Sequence, residues 1–213
     1  MIISKHLGEY RSIICLNGEL PNKSFFSKNI PIIAADGAAN KLHKMDVIPS
    51  VIIGDLDSVD KKIFNNVKKV KILNQDKNDF QKALVYADNN DLMPSIILGA
   101  SGGFLDHILN NISIIIENNC IFYSPPLIGK IIKSPKVEQL ELEPSIKISL
   151  FGIPEAIVNT SGLKWELNNA KLTFPGLNSS LNRVVSNNVI IEVSKGILLV
   201  LYYETKEIDK GIQ

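Results

Sequence analysis

Val51-Ile52-Ile53-Gly54-Asp55-Leu56-Asp57-Ser58 is an apolar run of strand length that ends in a glycine and two aspartates two residues apart. Ligand loops of an α/β sheet lie at the carboxyl ends of its strands. An extended backbone here would turn Asp55 and Asp57 to one face and Leu56 to the other, into the core. Two carboxylates on one side repel each other unless a cation sits between them. A hard dication such as Mg²⁺ suits such oxygen donors. The plainer alternative is a polar loop in which Ser58 caps a short helix at Val59-Asp60.

The same design recurs outward from this stretch. Val70 to Leu73 reads as a strand and runs into Gln75-Asp76-Lys77-Asn78-Asp79, a second acidic loop that opens a helix, with Asn78 as its cap and Gln81 three residues on. Ser12 to Leu16, Ile30 to Ala35, Ile96 to Leu98 and Ile121 to Tyr123 are further short apolar runs. Between them, Phe80, Ala83, Leu84 and Ala87, and then Leu105, Ile108, Leu109, Ile112 and Ile116, follow helical spacing. Strands alternating with helices imply a mostly parallel sheet covered on both faces. The two acidic loops should then share one rim of it.

The pattern changes near Ser124-Pro125-Pro126. Beyond it there is no helical periodicity. Ile146 to Leu150 and Val189 to Val193 alternate at period two, Ile197 to Tyr203 is β-rich, and Gly152, Gly162, Asn168-Asn169, Gly176 and Gly196 punctuate the segment. The expected fold class is an α/β N-terminal domain, residues 1–130, followed by an all-β sandwich, residues 131–213.

Gly99-Ala100-Ser101-Gly102-Gly103 joins a strand to a helix and offers backbone N–H groups as a phosphate cradle. It also matches G-x-S-x-G, the nucleophile elbow of α/β-hydrolases. That chemistry needs a histidine later in the chain. The histidines are His6, His43 and His107, and none follows the helix the elbow would start. Ser101 is therefore read as a phosphate contact or a turn residue. Asp106 and His107 open the following helix, His107 in a binding or structural role. Asp36-Gly37-Ala38-Ala39-Asn40 is another strand-to-helix loop with small residues that admit a close ligand.

Composition narrows the classes. A net charge of +1 over 213 residues argues against nucleic acid or an anionic membrane as partner. Cys15 and Cys120 sit in apolar stretches and read as reduced, buried thiols. The N-terminus, interrupted by Lys5, His6, Glu9 and Arg11, is unlike a secretory leader. No apolar run approaches the roughly 20 residues that span a bilayer. The expected location is the cytoplasm.

Taken together, the four loops, Lys82-Ala83-Leu84, Gly162-Leu163-Lys164-Trp165-Glu166-Leu167, Ser186-Asn187 and the closing Lys195-Gly196-Ile197-Leu198-Leu199-Val200 resemble the thiamine pyrophosphokinase family. The resemblance spans nearly the whole chain. It implies a homodimer that transfers pyrophosphate from ATP to the hydroxyl of thiamine, leaving AMP. Asp55, Asp57 and Asp79 would be catalytic and hold Mg²⁺, with Asp76 as a further ligand. Asp36, Gly37, Asn40, Gly99, Ala100, Ser101, Gly102, Gly103, Asp106 and His107 would bind ATP. Gln75, Trp165, Ser186 and Asn187 would meet thiamine, although a lone tryptophan in a sandwich is more often core. Two positions depart from the family: Phe104 stands where an arginine is common, and Val184 where some members carry a hydroxyl. The arginine's role would pass to Arg11, Arg183 or a lysine. A pyrophosphokinase for another alcohol, such as a hydroxymethylpterin, and a non-catalytic nucleotide-binding regulator are the other readings.

Overall fold

The computed structural model describes residues 9–27, 29–60 and 63–204. His6 and Lys5 lie outside the described residues. The chain divides into two compact units, Ile2–Pro125 and Pro126–Gln213. Its described part is mostly strand, with three α-helices.

In the first unit, β1 (Ser12–Cys15), β2 (Ile32–Ala35), β3 (Val51–Gly54), β4 (Lys68–Lys71), β5 (Ser95–Leu98) and β6 (Ile121–Ser124) form a parallel sheet in the order β6-β5-β1-β2-β3-β4. β1, β2, β3 and β5 are buried along their whole length, which is why their sequences are continuous apolar runs rather than alternating ones. The edge strand β4 reads Lys-Lys-Val-Lys and is only partly covered. It begins two residues before the apolar run at Val70 to Leu73, because an edge strand needs no apolar pair of faces and lysines guard it against further pairing.

Helix α1 (Ala38–Lys44) follows β2, α2 (Asp79–Asn89) follows β4, and α3 (Leu105–Glu117) follows β5. α2 starts on a capping box: the Asn78 side chain accepts from Gln81 N–H at 2.9 Å, and the Gln81 side chain accepts from Asn78 N–H at 3.2 Å. α3 buries Ile114 and Ile115, while Leu105 and Leu109 of the expected stripe are 70% and 57% exposed. Successive crossovers run outward from β1 in both directions. Chain order reverses between β1 and β5, and the loops after these two strands flank the switch point.

In the second unit, β7 (Leu127–Lys133), β8 (Lys136–Glu141), β9 (Lys147–Ser161), β10 (Ala170–Thr173), β11 (Ser179–Arg183) and β12 (Asn188–Tyr203) pair antiparallel. No α-helix occurs among its described residues. Two strands expected to break at Gly196 are one. β12 runs through Gly196 with a register shift, pairing β8 with its first half, β7 with its second, and β9 along its other edge. Gly196 has φ 83°, and a Cβ there would meet the Glu155 carbonyl oxygen at 2.0 Å. The glycine marks a bulge with close backbone approach, not a turn. Among the described residues, no helix is long and apolar enough to cross a membrane.

Candidate active site

The carboxyl ends of β1, β2, β3 and β5 and the start of α2 converge on one rim of the parallel sheet. At the switch point, the loops after β1 and β5 are laced together. Leu16 N–H donates to Leu98 O at 2.8 Å, and Glu19 N–H to Ser101 O at 2.7 Å. Gly18 fits only because it lacks a side chain: a Cβ would stand 1.9 Å from Ser101 O and 2.2 Å from Gly99 O. Lys41, on α1, reaches back and donates to the carbonyls of Asn17 and Gly18, both at 2.8 Å. A cleft of about 430 Å³ opens here, lined by Asn17, Gly18, Asp36, Gly37, Ser58, Asp79, Gly99, Ala100, Ser101, Gly103 and His107 among others.

Beside it lies an acidic group. Carboxylate oxygens of Asp36, Asp55 and Asp79 lie within 4.8 Å of one another, each from a different strand-end loop. Asp36 takes φ 40°, a left-handed conformation that aspartate tolerates better than most residues. It is 6% exposed, and its Oδ1 is buried without a hydrogen-bond partner. Burial first, and then the charges of Asp79, Asp55 and Asp57, raise its pKa, against the pull of the Ser58 hydroxyl. Asp55 shifts the other way, lowered mainly by the Asp57 N–H and assisted by Gln75 and Lys82. Gly54 separates the carboxylates: a Cβ on it would lie 2.9 Å from Asp36 Cβ and 3.2 Å from Asp79 Oδ1. Three converging carboxylates, one with an orphaned buried oxygen, around a space that a single methyl would fill, fit a hard divalent cation.

Two of the expected ligands, Asp57 and Asp76, stand outside this group of three carboxylates. Leu56 goes into the core as expected, but with φ 64°, which ends the extended alternation. Asp57 stays beside Asp55 but outside the three-carboxylate group. Its N–H donates to Asp55 Oδ1 at 3.3 Å and its carboxylate accepts from Ser58 at 2.8 Å, exposed. Asp76 is also exposed and stands outside the three-carboxylate group, its N–H held by Asn74 Oδ1 at 2.6 Å. Asp36, read from sequence only as a nucleotide contact, joins Asp55 and Asp79 in the cluster.

Of the other expected contacts, Gly37, Gly99, Ala100, Ser101, Gly103 and His107 line the cleft, and Asn40, Gly102 and Asp106 do not. Asn40 instead braces α1 to the acidic loop, donating to Ser58 O at 2.7 Å and accepting from Asp60 N–H at 3.2 Å. Gly102 packs on Glu19, and Asp106 accepts from His107 N–H at 2.9 Å. Gln75 stands near Asp55 and helps to lower its pKa. Ser101 shares a short hydroxyl contact with Ser124. Phe104 is 80% exposed and edge-on to His107. Arg11 is at the opposite end of β1, donating to Asp91 O at 3.4 Å, and so is not the missing cation.

Lysines are nearer. Lys82, 3% exposed, donates to Asp79 Oδ1 at 3.0 Å from one turn along α2. Its place was readable: a lysine at i+3 from the last aspartate of the loop shares that aspartate's helix face. Asn17, Gly18 and Lys41 left no comparable signal, because Asn17 and Gly18 act through their backbone carbonyls and Lys41 meets those carbonyls only through the fold.

In the second unit, Trp165 is 54% exposed and is not core. It stands in a loop that meets the stretch carrying Ser186 and Asn187: Leu163 bridges Val184, and the N–H groups of Val185 and Ser186 donate to Gly162 O at 2.9 and 3.3 Å. Ser186 and Asn187 are exposed.

The class is that of a parallel α/β unit followed by an antiparallel β unit, a fold shared with the solved thiamin pyrophosphokinase of Geobacillus thermodenitrificans (TM-score 0.79, 19% identity, 91% of this chain and 97% of that one). The family models for the thiamin pyrophosphokinase catalytic domain and vitamin B1 binding domain match residues 23–122 and 136–198, so the chain belongs to the thiamin pyrophosphokinase family. It is an enzyme of that kind, transferring pyrophosphate to thiamine. Curated relatives include thiamin pyrophosphokinase 1 of Caenorhabditis elegans, 27% identical over 90% of this chain and 88% of the relative. Thiamine pyrophosphokinase 3 of Oryza sativa subsp. japonica is 25% identical over 88% and 84%.

Proposed function

We propose that the donor is ATP, that Mg²⁺ is required, and that the products are thiamine diphosphate and AMP. The observation that carries this reading is the convergence of Asp36, Asp55 and Asp79 beside the glycine-lined cleft. Bound there, Mg²⁺ would supply charge neutralisation for the phosphate oxygens. The remaining work is positioning, which is what phosphoryl-type transfer chiefly needs. The backbone N–H groups of Gly99 to Gly103, with Gly37 and Ser101, hold the phosphate chain. Lys82, fixed on Asp79, adds a positive charge at the acidic end where no arginine follows the glycine loop. The thiamine hydroxyl attacks the β-phosphorus, the β-phosphorus bond to the oxygen bridging to the α-phosphate breaks, and AMP leaves. Asp55 or Asp79 receives the hydroxyl proton or orients it. Asp57 and Asp76 lie outside the inner ligand set.

Residues 1–130 form the catalytic domain in this reading and residues 131–213 a β-sandwich that binds thiamine through Trp165, Ser186 and Asn187; Gln75 is a further thiamine contact in this reading. The protein works as a cytoplasmic homodimer. Incubation with ATP, Mg²⁺ and thiamine should yield AMP and thiamine diphosphate in equal amounts. Gel filtration with light scattering should give twice the 23.5 kDa chain mass.

A further inference from the structure

The loop that carries Trp165 is held far more tightly than an exposed turn requires. Glu166 accepts from Gly162 N–H at 2.7 Å, Leu163 N–H at 2.9 Å and the Thr160 hydroxyl at 2.7 Å. Lys164 N–H donates to Arg183 O at 2.8 Å, and Leu167 N–H to the Thr160 hydroxyl at 2.8 Å. At the centre is Asn182, 1% exposed. Its Oδ1 accepts from Trp165 N–H at 3.1 Å and Arg183 N–H at 2.8 Å, and its Nδ2 donates to Trp165 O at 2.7 Å and Ser179 Oγ at 3.1 Å. All of the amide's usual capacity is used, and both backbone groups of Trp165 are bracketed by one side chain.

The local backbone is arranged to bring it there. The register of β11 against β9 shifts between Ser179 and Asn182, and Leu181 takes φ 53° with its side chain 54% exposed. A bulge of this kind re-aims a side chain. Here it turns a polar amide inward and a leucine outward, the reverse of what burial alone favours. The indole it supports is itself largely exposed, with the Lys164 ammonium 4.8 Å over the ring centre. The bracket therefore fixes an exposed ring rather than a core residue.

We infer that Asn182 is a positioning residue for thiamine binding: it fixes the backbone of Trp165 so that the indole is presented as a rigid platform for the substrate's aromatic rings. This rests on the reading of Trp165 as a thiamine contact. Stacking platforms favour rigid aromatic groups because little freedom is lost on binding.

Trp165 is the chain's single tryptophan, so its emission reports on this loop alone. The test uses the full-length protein in steady-state assays and fluorescence titrations with thiamine. Asn182→Ala should raise KM for thiamine about tenfold, the size of one aromatic contact, with kcat and KM for ATP within about twofold. Trp165 emission in the free variant should lose anisotropy. Asn182→Ser keeps one short, neutral polar group that cannot bracket both backbone groups of Trp165, and should fall between wild type and Asn182→Ala; it decides the matter if the alanine variant fails to fold. A folded variant with unchanged KM for thiamine and unchanged anisotropy overturns the inference. Thiamine quenching of wild-type emission and a raised KM in Trp165→Ala test the underlying reading separately. Absence of both removes Trp165 from the site, whereas their presence beside a silent Asn182 variant removes only Asn182.

Discussion

Asp36, just after β2, is buried and left-handed, with one oxygen unpartnered and two further carboxylates within 4.8 Å. Without a cation such a group is a liability, since each charge raises the cost of the next. Asp36→Asn should therefore melt at or above the wild-type temperature in EDTA. In Mg²⁺ the wild type should gain stability and the variant should not; thermal melts with and without the ion check this. Turnover separates the aspartates further. Asp55→Asn should lose about a thousandfold in kcat, the scale of a lost inner ligand to the charge-neutralising ion. Asp57→Asn, whose side chain bonds Ser58 outside the cluster, should lose much less; equal losses would return Asp57 to the inner set. The acidic character of this site was legible from residue type and strand-end position. Which aspartates converge was not, because the choice turned on Leu56 at φ 64°, a conformation that an alternating pattern gives no reason to expect at a leucine. Trp165 was harder still, since exposure depends on what the loop packs against.

At the level of elements, the site depends on strand-end loops that touch through backbone. Gly18→Ala would drive a Cβ into two carbonyl oxygens. We expect a cost of about 2–4 kcal/mol, read from denaturant unfolding, as for other forced overpacking and backbone strain. The capping box on α2 was plain in the sequence because its donors and acceptors are three residues apart and local. The continuity of β12 was not, because it comes from pairing with β7, β8 and β9, and only those partners make Gly196 a bulge. In the same sheet, Glu138 of β8, 13% exposed, meets Lys130 of β7 and Lys136. Burial raises its pKa, and the two ammonium groups outweigh that and hold it below the ordinary carboxylate value. A lowered folded-state pKa adds stability that is present above the unfolded value and lost as pH falls through the folded one. Glu138→Gln should thus be less stable by about 1 kcal/mol near neutral pH. The gap from wild type should close below about pH 4, as followed by urea unfolding across pH.

Across the whole molecule, two units of different architecture answer to two family models, one catalytic and one for vitamin B1. That division was visible in the sequence as the change from helical to period-two spacing near Ser124-Pro125-Pro126, since hydrophobic period is set by the local element and survives without knowledge of its partners. Charge compensation at the acidic cluster was visible only in part: the i+3 spacing puts Lys82 on the helix face of Asp79, while the burial that fixes its ammonium on that carboxylate appears only in the folded α2. Transfer of a pyrophosphoryl group, rather than a single phosphoryl group, is read from the nucleotide released when the protein turns over ATP, Mg²⁺ and thiamine. The expected product is AMP, formed mole for mole with thiamine diphosphate at a rate cut about a thousandfold by Asp55→Asn. Release of ADP with thiamine monophosphate, or AMP formed only when a pterin alcohol replaces thiamine, would contradict it.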